Sequence, residues 1–190
     1  LLSGAIYFLT TNPQTLAKLV DEIRHEYKNE NDINLLNTQH LIYLNAVVNE
    51  SLRIYPPAPG TGPRLTAPSG SIIAGHHIPG NTIVDINLWA VHHDPSLFTS
   101  PESFVPERWL GDARFKNDRL DAVEPFSVGP RNCIGRNLAY AEIRMVLARL
   151  VWNFDIELSP KDKHWAVGQK MYTFWDKPEL HVLLKPRKST

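Results

Sequence analysis

Eleven of the fifteen prolines fall between Pro56 and Pro130, so the centre of this 190-residue chain can hold neither a long helix nor a broad sheet. Proline lacks a backbone donor, fixes its own φ and pushes the preceding residue out of the helical region. The chain therefore divides in three. Residues 1–55 read as helices, 56–130 as short strands and a proline-rich loop, and 131–190 as a cysteine-bearing loop, a helix and a strand tail.

Leu1 to Leu9 reads as the end of an apolar helix whose beginning is absent. Asn12-Pro13 predicts an N-cap followed by proline at the first helical position. Leu16, Leu19, Val20, Ile23 and Tyr27 then recur at helical spacing as far as Lys28. A polar loop over Asn29–Asn37 leads to Thr38, the expected cap of a third helix carrying Leu41, Leu44, Val47, Val48 and Leu52. That helix must stop before Pro56-Pro57. In the middle, Ser71–Ala74 and Thr82–Ile86 are expected to pair through a turn containing Pro79-Gly80. Asn87–His93 reads as a short helix stopped by Asp94-Pro95, and Phe98–Pro130 as a long irregular stretch. Loops of that length are usually functional. Beyond Gly135, Leu138, Ile143, Val146, Leu147, Leu150 and Val151 mark a helix to Trp152, and Leu180, Val182 and Leu184 alternate as a strand.

Charge and cysteine count exclude several function classes. Twenty basic residues balance twenty acidic ones without a like-charged block, which gives no support to nucleic-acid binding or a polybasic membrane surface. One cysteine excludes an internal disulfide framework and a multi-cysteine zinc site, and the eight histidines show no H-E-x-x-H spacing. The chain opens Leu1-Leu2-Ser3 and carries no apolar run long enough to span a bilayer, so it reads as a piece of a longer protein.

The most specific local pattern is Phe126-Ser127-Val128-Gly129-Pro130-Arg131-Asn132-Cys133-Ile134-Gly135. A lone cysteine is ordinarily a small buried hydrophobe. Here it sits where a loop runs into a helix, so free backbone N–H groups and the helix dipole would favour a thiolate, and Arg131 adds positive charge. Gly129 and Gly135 leave room beside the sulfur for a flat, bulky partner.

This stretch resembles the F-x-x-G-x-R-x-C-x-G signature of the cytochrome P450 family at Phe126, Gly129, Arg131, Cys133 and Gly135. Glu50-Ser51-Leu52-Arg53 resembles the family's E-x-x-R helix, and Phe104-Val105-Pro106-Glu107-Arg108-Trp109 its F-x-P-E-R-[FW] segment, in the family's order. The resemblance runs over essentially the whole chain, as the carboxyl-terminal part of a eukaryotic, fungal-type microsomal P450. It implies a mainly helical fold with small β-sheets whose distal half is missing. Glu50 and Arg53 alone could be an exposed ion pair on one helix face. The family likeness implies instead a buried network in which Arg108 joins them.

Further roles are implied by position. Cys133 would be the axial ligand of a haem b iron, with Phe126 and Gly135 beside it. Arg131 and Arg64 would meet the haem propionates, and His92 in Trp89-Ala90-Val91-His92-His93-Asp94-Pro95 would lie on the propionate side. His93 stands where the family usually has arginine, which puts in doubt any charge at that position. A cysteine thiolate on haem iron pushes electron density toward O–O cleavage, as in P450s generally. The implied activity is a monooxygenase acting on a hydrophobic small molecule in secondary metabolism, fed by NADPH-cytochrome P450 reductase. The implied location of the full-length parent is the endoplasmic reticulum membrane, reached only through the missing amino-terminal part.

The family's distal acid–alcohol motif, A-G-x-[DE]-T, has no match in the chain, and Leu1–Leu9 resembles the stretch just after it. No catalytic residue is therefore expected within these residues, and the fragment is expected to be inactive alone. Three alternatives stay open: a P450-fold isomerase or dehydratase acting on a peroxide, a truncated non-catalytic haem binder, and a cysteine hydrolase using His92 or His93 as base. The turns at Pro57–Gly62 and Met171–Trp175, with Ala58, Thr61, Tyr172 and Phe174, fall where the family places substrate-facing residues.

Overall fold

Three helices open the chain in the computed structural model, which describes residues 1–60 and 62–187. They are α1 (Leu2–Thr11), α2 (Pro13–Glu26) and α3 (Ile42–Ile54). Pro13 starts α2 as expected, but the Asn12 side chain does not cap it. Its Nδ2 donates instead to the Phe8 carbonyl at 2.8 Å, satisfying an orphan acceptor in the last turn of α1. Thr38 is likewise not the cap of α3: it lies in a 3₁₀ turn, Asn37–His40, with its hydroxyl donating to the Asn34 carbonyl at 3.1 Å. The cap comes from another helix. The Glu22 carboxylate of α2 accepts the first-turn N–H groups of Tyr43 at 2.7 Å and Leu44 at 2.8 Å. A carboxylate suits a helix N-terminus on both hydrogen-bonding and dipole grounds, and local sequence shows no sign of a cap supplied from twenty residues away.

The proline-rich middle forms two hairpin-like pairs rather than the one expected. Strand β1 (Arg64–Leu65) pairs antiparallel with β4 (Ile83–Val84), while β2 (Ser71–Ile73) pairs with β3 (His76–Ile78). The expected pairing of Ser71–Ala74 with Thr82–Ile86 fails because Ala74 and Gly75 both take positive φ, 49° and 82°. Two left-handed residues close a tight hairpin whose twist matches its strands. Helix α4 (Leu88–His92) follows, capped by the Asn87 side chain, which accepts from the Ala90 N–H at 3.0 Å. Beyond it the irregular stretch is built from 3₁₀ turns at Pro106–Leu110, Ala113–Phe115, Leu120–Ala122 and Gly129–Arg131.

Helix α5 (Arg136–Asn153) runs from the cysteine loop into β5 (Phe154–Leu158), which pairs with the tail strand β8 (Val182–Pro186). Between them β6 (Lys170–Met171) and β7 (Trp175–Asp176) form a small hairpin. The apolar stripes of α1, α2, α3 and α5 meet in one core, where Ala5, Leu19, Ile23, Leu44, Val47, Leu147 and Val151 are fully buried. Each large aliphatic buried there contributes about 1.5–3 kcal/mol. Leu138 and Val146, expected on the apolar face of α5, are instead exposed. Arg24 ties α2 to the end of α5, its guanidinium donating to the carbonyls of Val151 at 2.9 Å and Phe154 at 3.0 Å. Small antiparallel sheets around a mainly helical body are the architecture expected from sequence. Among the described residues no helix is long and apolar enough to cross a membrane.

Candidate functional site

Helix α3 carries Glu50 and Arg53 on one face, three residues apart, and that face points inward. Glu50 and Arg53 are 0% exposed and Arg108 is 2% exposed. The Glu50 carboxylate accepts five hydrogen bonds. Its Oε1 takes Arg53 Nη2 at 2.8 Å, the Val105 N–H at 3.0 Å and Arg108 Nε at 3.1 Å. Its Oε2 takes Arg53 Nε at 3.0 Å and the Trp109 indole at 2.9 Å. Arg53 spends its remaining donors on the carbonyls of His92, Pro101 and Ser103. Arg108 reaches the Asp118 carboxylate and the carbonyls of Thr99 and Ser100. Buried charges persist only when paired and hydrogen-bonded throughout. The three residues thus pin the irregular stretch to α3 without relying on regular secondary structure. Trp109, the last residue of the F-x-P-E-R-[FW] segment, and Asp118, which no motif marked, belong to this network; Asp118 brings a second carboxylate to balance the second guanidinium.

The cysteine loop is held against the same helix. The Cys133 N–H donates to the Phe126 carbonyl at 2.8 Å, closing the loop on itself. The Phe126 ring packs on Tyr140 of α5 with centroids 5.3 Å apart, and the Tyr140 hydroxyl donates to Asn49 of α3 at 3.1 Å. Ser127 and Gly129 take positive φ, 59° and 77°, which turns the chain sharply before the cysteine. The Cys133 side chain is exposed. The next two amides, Ile134 and Gly135, engage no acceptor among the described residues. A Cβ at Gly135 would stand 3.8 Å from the sulfur, so the glycine keeps the approach beside it open.

Cys133 and Arg131 lie on a cavity of about 430 Å³ whose walls are mostly apolar, including Leu52, Ala58, Leu88, Phe126 and Ile143. A second cavity of about 540 Å³ holds Arg64 and shares Leu88 and Ser127 with the first. The two therefore adjoin. Arg64 donates only to the carbonyls of Gly62 at 2.9 Å and Pro63 at 3.3 Å, and neither arginine meets a carboxylate among the described residues.

His92 lies elsewhere. Its ring lines neither cavity and is fully buried beside Arg53. Its Nδ1 is 3.0 Å from the Arg53 carbonyl, and its Nε2 is buried with no partner among the described residues. Burial is the main cause that pulls its pKa down to about 4, with the Arg53 charge adding to it against the hydrogen bond. His93 stacks on Trp89 at 4.4 Å with Nδ1 2.8 Å from the Trp89 carbonyl. Burial lowers its pKa as well, so it carries less charge than the arginine it stands in for. Neither histidine lines the Cys133 cavity, where a hydrolase would need its base.

Residues 2–184 match the sequence model of Cytochrome P450. The chain belongs to the cytochrome P450 family. It is 56% identical over 188 residues to the trichothecene C-15 hydroxylase of Fusarium sporotrichioides, covering 98% of this chain and 38% of that protein. It is 49% identical over 191 residues to a cytochrome P450 monooxygenase of Talaromyces stipitatus, covering 100% and 38% respectively. The fusicoccadiene 8-ol C-16-hydroxylase of Phomopsis amygdali is 48% identical over 187 residues, covering 98% and 35%. The chain thus spans well under half the length of these relatives.

The P450 family implies a haem cofactor, and the donor set here suits one. The exposed Cys133 sulfur, two guanidinium groups that meet no carboxylate among the described residues and apolar walls would offer a soft ligand for iron, partners for two propionates and contact surface for a macrocycle. Thr61, in the expected substrate-facing turn, lies outside the described residues.

Proposed function

We propose that the full-length protein is a haem-thiolate monooxygenase that oxidises a hydrophobic small organic molecule. The observation that carries this reading is the exposed Cys133 sulfur on an apolar cavity wall with Arg131, beside the adjoining cavity that holds Arg64. Haem b, once bound, supplies the activation of dioxygen, one atom of which enters substrate while the other leaves as water. The chain's own residues bind and orient. Cys133 would hold the haem iron through its thiolate, and Phe126 and Gly135 shape the space beside its sulfur. Arg131 and Arg64 neutralise the propionates, while Glu50, Arg53 and Arg108 hold the loops that carry these groups. His92 acts through Arg53, away from the propionates. Hydroxylation agrees with the names of two relatives, a trichothecene C-15 hydroxylase and a fusicoccadiene 8-ol C-16-hydroxylase, and a role in fungal secondary metabolism is part of this proposal. Electrons come from NADPH-cytochrome P450 reductase, and the full-length protein resides at the endoplasmic reticulum membrane. Residues 1–190 alone do not turn over.

The test is turnover of a panel of hydrophobic molecules by the full-length protein under isotopically labelled dioxygen. A monooxygenase gives products heavier by one labelled oxygen atom, only with reductase and NADPH. Rearrangement of an organic hydroperoxide without reductase or label uptake would instead establish the isomerase or dehydratase reading.

A further inference from the structure

The wall of the Cys133 cavity formed by Pro57, Ala58 and Gly60 has no regular secondary structure of its own beyond a single bridge between Gly60 and Asn87. Its far end is fixed by that bridge and by the Trp89 N–H, which donates to the Pro59 carbonyl at 3.1 Å. Its near end is fixed by aromatic residues outside the cavity. Tyr55, buried at the C-cap of α3, stacks on Trp175 of β7 with centroids 5.1 Å apart and ring planes 14° apart. The Trp175 indole donates to the Pro56 carbonyl at 2.7 Å, one residue before the wall begins. The Tyr55 hydroxyl donates to Gln169 at 2.6 Å, on the other side of the β6–β7 hairpin. Gly4 of α1 approaches the same ring so closely that a Cβ there would stand 2.5 Å from Tyr55 Cδ1.

These contacts converge on one spot where proline prevents the backbone from holding itself. Pro56 and Pro57 can donate no hydrogen bond, so the segment entering the wall relies on side chains to place it. We propose that Tyr55 and Trp175 are positioning residues that set the width of the Cys133 cavity by fixing the Pro57–Gly60 wall, and so decide which bulky organic ligands fit beside the haem. The inference rests on the haem reading above. Trp175 acts twice: its ring face holds Tyr55, and its N–H holds the Pro56 carbonyl. The hairpin carrying exposed Tyr172 and Phe174 is hitched through it to the cavity wall. A ligand that displaces the wall must therefore move the hairpin too.

The test uses the full-length, haem-loaded protein and two probes, imidazole and 4-phenylimidazole, titrated by the Soret shift of nitrogen binding to iron. Both present the same nitrogen; only the second carries bulk to the walls. Trp175→Phe removes the indole donor and keeps a ring, and Trp175→Ala removes both. The ratio of the two dissociation constants is expected to change about tenfold in Trp175→Ala and less in Trp175→Phe. Imidazole alone should change less than twofold in either. Trp175→Phe keeps the inference testable if the alanine variant does not fold. An unchanged ratio, or parallel shifts for both probes, would overturn the positioning role while leaving the haem reading intact. Absence of any Soret response in the unmodified protein would overturn the haem reading, and this inference with it.

Discussion

Arg53 and His92 hold each other at two points: Arg53 Nη1 donates to the His92 carbonyl at 2.8 Å, and His92 Nδ1 sits 3.0 Å from the Arg53 carbonyl. A carbonyl only accepts, so Nδ1 carries the ring proton and the buried Nε2 is a bare lone pair. The end of α3 and the end of α4 are thereby locked together through a histidine that must stay neutral.

That neutrality gives stability a pH dependence. The folded His92 pKa, lowered to about 4, lies below its ordinary value of 6.5, so the unfolded chain binds more protons between the two. Stability from this group is complete above about pH 6.5 and is lost progressively down to about pH 4, roughly 3 kcal/mol over the window. His92→Asn can keep the donor to the Arg53 carbonyl but cannot titrate. Urea unfolding of the full-length protein between pH 7 and pH 4.5 should therefore show a shallower decline for His92→Asn; identical slopes would contradict the assignment.

Glu50→Gln leaves the buried guanidiniums of Arg53 and Arg108 without the carboxylate between them. The expected cost is about 3–5 kcal/mol, because the uncompensated charges stay buried. Denaturant unfolding checks it. A loss below about 1 kcal/mol, the value of an exposed pair, would mean that the network carries no structural weight.

Much of the fold was legible in the sequence where a single residue type decided the outcome. Pro13 starts α2, Pro56 follows the end of α3, and Asp94-Pro95 follows the end of α4. The failures share a cause: a distant partner won over a near one. Glu22 displaced Thr38 as the cap of α3, and β1 displaced β2 as the partner of β4. Motif spacing picked out Glu50, Arg53, Arg108 and Cys133, but spacing alone left Glu50 and Arg53 as a possible exposed pair, and only the family resemblance implied the buried network seen around Glu50. Asp118 was invisible because an acid in an irregular loop carries no periodic signal, and Trp109 was marked by its motif without any sign that its indole would bond Glu50. The resemblance put His92 on the propionate side, whereas in the structure Val91 faces the second cavity and the His92 ring turns to Arg53.

Gly4→Ala should destabilise the packing of α1 on α3. The added Cβ meets Tyr55 Cδ1 at 2.5 Å, a distance that forces ring or helix to move. Overpacking of this kind costs about 1–3 kcal/mol, although alanine ordinarily strengthens a helix. Thermal unfolding should therefore show a lower midpoint for Gly4→Ala; a higher one would show that Tyr55 is free to shift.

Replacement of Arg64 or Arg131 by leucine should weaken haem retention without changing the axial ligand. Under the proposed haem site each guanidinium would offer charge-assisted hydrogen bonds to a propionate, and about 1.4 kcal/mol corresponds to a tenfold change. Haem transfer to an apoprotein acceptor should run about tenfold faster in each variant. Unchanged transfer rates would remove these arginines from the cofactor site.

The most direct test is the carbon monoxide difference spectrum of the reduced, haem-loaded full-length protein, with Cys133→Ala beside it. The account predicts a strongly red-shifted Soret band in the unmodified protein and its loss in the variant, since only the exposed Cys133 sulfur on the cavity wall can supply a thiolate from this chain. A red-shifted band that survives the substitution would contradict it.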